Sequence, residues 1–255
     1  MSNLELKIKN TVDFLKSING KKEKIKVKFS GGKDACVLKD IILKYNDKLD
    51  FVPEFVLFSA TLMSKSLRDF ITTYHSEVII MEPEKTFFDL CIENNMFPNI
   101  FNCFCCPELL NKIAEEFEKN NKIVIDGVKF SDTENNIGLE KIWSFGEGYS
   151  THYSPLWDWT DEDIYEYINI NSIPLHSDYE IFNHSYGCYF CVGNIAEVKA
   201  KQLELDPELA EKLRNTASII YNNNENIQKA FKSSEEYFQY FIGPQDKAVA
   251  MFEAV

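Results

Sequence analysis

Ser30-Gly31-Gly32-Lys33-Asp34 is a pentapeptide suited to holding a phosphate. Two adjacent glycines let backbone N–H groups approach an anion closely, and Lys33 adds a full positive charge. The following stretch, Ala35 to Leu43, reads as an apolar-faced helix whose N-terminus adds partial positive charge at the same point. The preceding stretch, Lys24-Ile25-Lys26-Val27-Lys28, alternates as a strand does. Strand, two-glycine turn and helix start together form a phosphate cradle. It is not the common P-loop, which places four residues between its first glycine and Gly-Lys-Ser/Thr. Lys33 and Asp34 are the candidate catalytic residues. Lys33 can stabilise charge developing on a phosphate; Asp34 can orient a metal or a ribose, with helix capping as its alternative role.

Cysteine supplies the second chemistry. Of seven cysteines, Cys36 and Cys91 stand alone on expected helices and read as buried small hydrophobes. The other five lie in Cys103-Phe104-Cys105-Cys106 and Cys188-Tyr189-Phe190-Cys191, separated by 82 positions (188 − 106). Two short clusters, distant in sequence, are what one metal centre needs to tie a domain to an appended segment. Four thiolates can hold a zinc ion or a [4Fe-4S] cluster. The pairs Cys103/Cys106 and Cys188/Cys191 suit tetrahedral zinc. Cys105, Cys106, Cys188 and Cys191 put two adjacent, diverging side chains on one centre, which suits a polynuclear cluster better.

The elements that position these residues follow from periodicity. An amphipathic helix runs from about Glu5 to Ile18, and strands are expected at Phe51–Phe58, Glu77–Met81 and Lys122–Asp126. Helices are expected at Ser64–Tyr74, Thr86–Asn94 and Glu108–Asn120. Such alternation points to an α/β fold, a parallel twisted sheet with helices on both faces. Ligands bind at the carboxyl ends of such strands, where Ser30, Ser59 and Asp126 emerge. Ser59 and Thr61 can touch adenine or ribose there, or form only local turn bonds. From Trp143 onward the pattern changes. Tyr153 to Trp159 is extended, Thr160 reads as an N-cap with Asp163 in the capping-box position, and Asp206-Pro207-Glu208 starts another helix. The chain beyond Cys191 is mostly helical, with a break at Asn222-Asn223-Asn224. The expected organisation is a nucleotide-binding domain over residues 1–150 and a C-terminal segment over 151–255.

The chain has 255 residues, 45% of them hydrophobic, including 20 Phe, which argues against disorder. No apolar run approaches the roughly 20 residues that span a bilayer, and the N-terminus lacks a signal-peptide pattern, so a cytoplasmic protein with no membrane association is expected. Forty acidic against 27 basic residues give a net charge of −13, which repels phosphate backbones. A nucleic acid substrate would therefore be held through a partner subunit. His152, His176 and His184 are expected as packed or surface histidines near the second cysteine cluster. Trp157, Trp159, Tyr186 and Phe190 are expected to pack around that centre.

Ser-Gly-Gly-Lys-Asp resembles the PP-loop of the ATP pyrophosphatases, which split ATP between the α- and β-phosphates. The loop, then Cys105-Cys106, then roughly eighty residues and Cys188/Cys191, is similar to the phosphoadenosine/adenosine phosphosulfate reductase family, in its [4Fe-4S] branch. Thr86-Phe87-Phe88 with Phe97-Pro98, Asp126-Gly127-Val128-Lys129, Ser154 to Thr160 and Ile173-Pro174 support the likeness, which covers residues 24 to 195. The resemblance implies a Rossmann-like adenine nucleotide α-hydrolase fold and an ATP site made by Ser30, Gly31, Gly32, Lys33, Asp34, Ser59, Thr61, Asp126, Gly127 and Lys129 with Mg²⁺. It also implies a [4Fe-4S] cluster on Cys105, Cys106, Cys188 and Cys191, with Cys103 as a substitute ligand and zinc as the alternative metal.

Two departures bear on function. The reductases of the family attack sulfur with a cysteine near the C-terminus, whereas the last cysteine here is Cys191 and the tail Phe252-Glu253-Ala254-Val255 has none. The reductases also place arginines after the fourth strand, where this sequence has Lys129-Phe130-Ser131-Asp132-Thr133-Glu134-Asn135-Asn136. A lone lysine lacks the bidentate fork that suits a sulfate. The sequence looks closer to the ATP pyrophosphatase components of DNA phosphorothioation systems and, more distantly, to tRNA thiolases. That likeness implies adenylation of an acceptor, sulfur transfer from a cysteine desulfurase partner, and compatibility with a homodimer. Phosphosulfate reduction and a non-catalytic nucleotide-sensing subunit are the alternatives.

Overall fold

The computed structural model describes residues 2–133 and 140–244. It contains two compact units: Met1–Phe58, Ser66–Met81 and Ala114–Ser185 form the first, and Ser59–Lys65, Glu82–Ile113 and Tyr186–Val255 the second.

The first unit is a six-stranded sheet in the order β3-β2-β1-β4-β6-β5. Its strands are β1 (Lys24–Lys28), β2 (Val52–Phe58), β3 (Ile79–Met81), β4 (Ile123–Ile125), β5 (Ile142–Ser144) and β6 (Thr151–Tyr153). All neighbours are parallel except the edge pair β5–β6. Lys28 is registered with Val56 and Lys26 with Val124, so these four side chains share one face of the pleat. Phe117 of α5 (Lys112–Asn120) packs there on Val56 and Val124. Ile25, Val27, Phe55 and Ile125 therefore face the other side. The helices α1 (Asn3–Ser17), α2 (Lys33–Lys44) and α6 (Asp161–Asn171) pack against one another. The α1 contact is pinned by Thr11, which donates to the Pro155 carbonyl and accepts from Trp159 Nε1 at 2.9 Å. The unit also holds α3 (Lys65–Tyr74), whose first residue lies in the second unit, and α7 (Asp178–Phe182).

Local signals placed most boundaries. Capping boxes open α1 (Ser2/Glu5), the helix that follows Thr86 (Thr86/Asp89) and α6 (Thr160/Asp163). The helix expected from Glu108 instead opens as a π-helical stretch, Pro107–Asn111, directly after Cys106, and becomes α-helical at Lys112. The three-residue strands β5 and β6 were not expected as strands, being too short for an alternation to register. Because β6 pairs with β4, Ala114–Ser185 stay with the sheet.

The second unit is built from α4 (Phe87–Glu93), α8 (Ala196–Leu205), α9 (Pro207–Asn223), α10 (Glu225–Ala230) and α11 (Ser234–Ile242). Pro207 stands at the first turn of α9 under an Asp206 cap, and Asn224 ends that helix and caps the next, which is the expected asparagine break. Phe97 stacks on Phe241 at 4.2 Å, and its N–H donates to the Tyr237 hydroxyl at 2.7 Å. No helix among the described residues is long and apolar enough to cross a membrane.

Candidate functional site

The loop leaving β1 turns at Gly31, whose φ of +76° lies in the left-handed region that glycine alone adopts freely. A Cβ there would come within 2.4 Å of Leu67 Cδ1, so the position excludes a side chain on two counts. Gly32 then caps α2 in extended conformation without a side-chain hydrogen bond, leaving the first amides of the helix turned to the loop. Ser30 Oγ accepts from the Gly32 N–H at 3.2 Å, and the Lys33 N–H donates to the Tyr179 hydroxyl at 2.7 Å.

Two lysines and three carboxylates meet at this helix start. Lys33 Nζ lies 3.0 Å from Asp34 Oδ2 and 3.1 Å from Asp161 Oδ1. Lys129, only 1% exposed, reaches Asp34 Oδ1 at 2.6 Å, Asp132 Oδ1 at 3.2 Å and Asp161 Oδ1 at 3.3 Å. Burial pulls both ammonium groups down, but the carboxylates outweigh it and hold them above the ordinary lysine range. Burial likewise works to raise Asp161, and the two lysines bring it below the usual carboxylate value. One oxygen of Asp161 thus sits between two ammonium groups beside a helix N-terminus, the surroundings a phosphate oxygen requires. Asp161 and Tyr179 escaped the sequence reading, because each looks like an ordinary residue at a helix start.

Asp126 and Gly127 follow β4, and Gly127 lies against the Asp34 backbone. The Asp126 carboxylate, however, is turned into the interior, accepting from Ser154 Oγ at 2.7 Å and pairing with His152 Nδ1 at 2.8 Å. His152 Nε2 pairs with Glu118 Oε2 at 2.8 Å, and Glu118 meets Lys28 at 2.7 Å. Trp143 stacks on the His152 ring at 3.9 Å. His152 is thus a packed histidine of the sheet and does not belong to the unit of the cysteine pair. His176 is also buried in the first unit, and His184 is exposed. Trp157 and Trp159 likewise belong to the first unit, against Phe130 and Tyr167, rather than to the cysteine centre, because they follow β6 in the sheet. Glu134-Asn135-Asn136 and the tail Phe252–Val255 lie outside the described residues.

Ser59 and Thr61 belong to the second unit. Ser59 is buried, with its Oγ accepting from the Thr61 N–H at 3.2 Å, and Thr61 Oγ1 accepts from the Phe87 N–H at 2.9 Å. Both hydroxyls are used in the turn bonds weighed as their alternative role.

All five clustered cysteines also lie in the second unit. Cys105, Cys106, Cys188 and Cys191 line one pocket whose other walls are apolar, among them Ala60, Leu62, Phe87 and Leu109. Cys103 Sγ stands 3.6 Å from Cys105 Sγ and 4.0 Å from Cys106 Sγ. Tetrahedral zinc with bonds of about 2.3 Å holds its sulfurs ~3.8 Å apart, so that trio has single-ion spacing. Among the described residues no other cysteine trio closes to within 4.8 Å, so the four pocket-lining sulfurs are set wider, as a larger cluster requires. Burial pushes the Cys188 thiol up to about 12 and raises Cys105 and Cys106. A metal bound here would displace thiol protons, since the thiolate is the ligating form. The all-thiol donor set and the apolar walls fit a [4Fe-4S] cluster on Cys105, Cys106, Cys188 and Cys191, with Cys103 a fifth thiol beside it.

A family model described as the phosphoadenosine phosphosulfate reductase domain matches residues 24–194. Among solved structures, a phosphoadenylyl-sulfate reductase from Candida auris in complex with phosphate is 14% identical, with a TM-score of 0.56 over 75% of this chain and 97% of that one. An FMN adenylyltransferase from Candida glabrata in complex with ATP is 17% identical, with a TM-score of 0.48 over 75% of this chain and 61% of that one. A U34-tRNA thiolase from Methanococcus maripaludis with its [4Fe-4S] cluster is 15% identical, with a TM-score of 0.48 over 89% of this chain and 80% of that one. Comparison with curated proteins gives no match.

Proposed function

This chain belongs to the phosphoadenosine phosphosulfate reductase domain family, and from that premise we propose that it is an ATP pyrophosphatase that activates an acceptor for sulfur transfer. The observation that carries the reading is the shared set of Lys33, Lys129, Asp34, Asp132 and Asp161 at the helix start. Three carboxylates around two lysines repel a bare sulfate. They suit a triphosphate that arrives with a divalent cation.

In this reading the Asp34 and Ala35 amides at the start of α2 and the Lys33 ammonium hold the phosphates, with Lys33 on the pyrophosphate that leaves. An acceptor oxygen attacks the α-phosphorus, the bond to the bridging oxygen breaks, and AMP stays on the acceptor as a leaving group for a sulfur donor. Asp34 and Asp161 are the carboxylates available to Mg²⁺, which when bound neutralises phosphate charge. Gly127 gives the strand end close access to the loop. The cysteine centre, when loaded with [4Fe-4S], supplies a place to carry sulfur or a brace for the second unit.

A nucleic acid is the proposed acceptor, as in DNA phosphorothioation, held through a partner subunit because the chain carries −13. A cysteine desulfurase in the cytoplasm is the proposed donor. The family description favours one second reading, the reduction of phosphosulfates. The test is to offer PAPS or APS with thioredoxin to anaerobically purified protein and to measure sulfite. The proposal expects none; catalytic sulfite release would replace it with the reductase reading.

A further inference from the structure

The turn between Cys188 and Cys191 is held from α8. Phe190, at φ +56° in a region costly for a bulky residue, is 1% exposed, and its N–H donates to Gln202 Oε1 at 2.8 Å. An N–H donor requires an oxygen at that position, so the amide orientation is fixed and Gln202 Nε2 is its other end. Gln202 is fully buried, and Nε2 has no hydrogen-bond partner among the described residues. Three residues earlier on the same helix face stands Lys199, 1% exposed and the one buried basic residue among the described residues of the second unit. Its Nζ has a long contact of 3.4 Å to the Phe241 carbonyl and lies 5.5 Å from the Phe241 ring centre. An ammonium has three N–H donors, and one weak acceptor leaves it far from satisfied. Burial holds the Lys199 ammonium below the ordinary lysine range, and Cys191 is the ionisable neighbour that works against this. Burying an ammonium and an amide NH₂ without partners is costly, so both point to an anion that the bare chain does not supply.

We propose that Lys199 and Gln202 are positioning residues of the cysteine centre, their free N–H donors directed to the negative charge of a metal–thiolate group. The inference rests on the metal-centre reading given above. Four thiolates around a zinc ion, or around an oxidised [4Fe-4S] core of the same charge, leave a net charge of about −2, which an apolar pocket does not compensate. A buried cation and a donor amide on the adjoining helix do. Their positive end favours the more negative, reduced state of an iron–sulfur cluster and slows loss of either metal.

The test compares anaerobically purified native protein with Lys199→Met and Gln202→Glu, far-UV circular dichroism serving to confirm folding. Gln202→Glu retains an oxygen for Phe190 N–H and removes the amide donors, so loss of the Phe190 hydrogen bond does not account for a change at its centre. Should Lys199→Met fail to fold, Gln202→Glu alone decides. An EPR-monitored redox titration is expected to show a roughly tenfold shift toward the oxidised cluster in each variant, about 59 mV lower for a one-electron couple. Metal release to a chelator is expected to be at least about tenfold faster, and this readout serves equally if the metal is zinc. Native protein without iron or zinc overturns the metal centre and this inference with it. A native centre whose potential and metal release match those of both variants overturns this inference alone.

Discussion

Replacing Gly31 by alanine forces two separable penalties on the phosphate loop. An L-residue at φ +76° costs about 1–2 kcal/mol, and a Cβ placed 2.4 Å from Leu67 Cδ1 adds about 1–3 kcal/mol of overpacking. The first unit should therefore lose roughly 2–5 kcal/mol. Leu67→Ala alone removes a buried side chain at a cost of about 2–5 kcal/mol. In the double variant the collision is gone and the strained backbone remains, so its cost should fall short of the sum by about 1–3 kcal/mol. All three tryptophans, Trp143, Trp157 and Trp159, lie in the first unit, so urea unfolding followed by tryptophan fluorescence reports on the unit that holds the loop. A Gly31→Ala variant within about 0.5 kcal/mol of native, or strict additivity with Leu67→Ala, would refute the argument that the turn needs glycine for both reasons.

Three further outcomes follow from the charged and titratable groups. Burial, with the Lys39 ammonium 2.5 Å away, lowers His75 to about 4, whereas an unfolded histidine protonates near 6.5. The unfolded state then binds more protons between those values, so stability falls as pH is lowered from about 6.5 to 4, by at most ~3 kcal/mol. His75→Phe should flatten that part of the pH–stability curve, and an unchanged slope contradicts the assignment. His152→Leu leaves Asp126 and Glu118 buried without their shared partner and should cost about 3–5 kcal/mol in urea unfolding followed by circular dichroism; a neutral effect would show the three groups are not coupled. Asp161→Asn removes the carboxylate that bridges Lys33 and Lys129, so metal-free pyrophosphate should bind about three- to tenfold tighter by calorimetry; weaker binding would mean that Asp161 does not compete for the phosphate position.

What could be read from the sequence was local. Five consecutive residues specify the phosphate loop, because the glycines, the lysine and the helix start act within one turn. The Thr160/Asp163 capping box and the Asp206-Pro207 start are equally short-range, and the helices they begin stand where the pattern put them. What escaped depends on tertiary packing. Asp161 joins the lysines because α6 packs on α2, and nothing in Thr-Asp-Glu-Asp marks its first carboxylate as different from the next two. His152 looked like a neighbour of the cysteines, yet a three-residue strand draws it into the sheet between two acids. Nothing in the sequence sets Lys199 and Gln202 apart, and it is the packing of α8 with α9 and α11 that buries Lys199. The cysteine pairs were legible as pairs. Their union at one centre was expected from the two clusters; what the fold adds is the apolar pocket they line, made by segments 82 positions apart.

The most direct measurement is the product of ATP turnover by anaerobically purified protein with Mg²⁺, followed by phosphorus NMR, in the presence of DNA and a cysteine desulfurase. Cleavage between the α- and β-phosphates yields pyrophosphate and AMP, and Lys33→Ala should abolish it. ADP with inorganic phosphate, or native turnover in Lys33→Ala, would contradict the account.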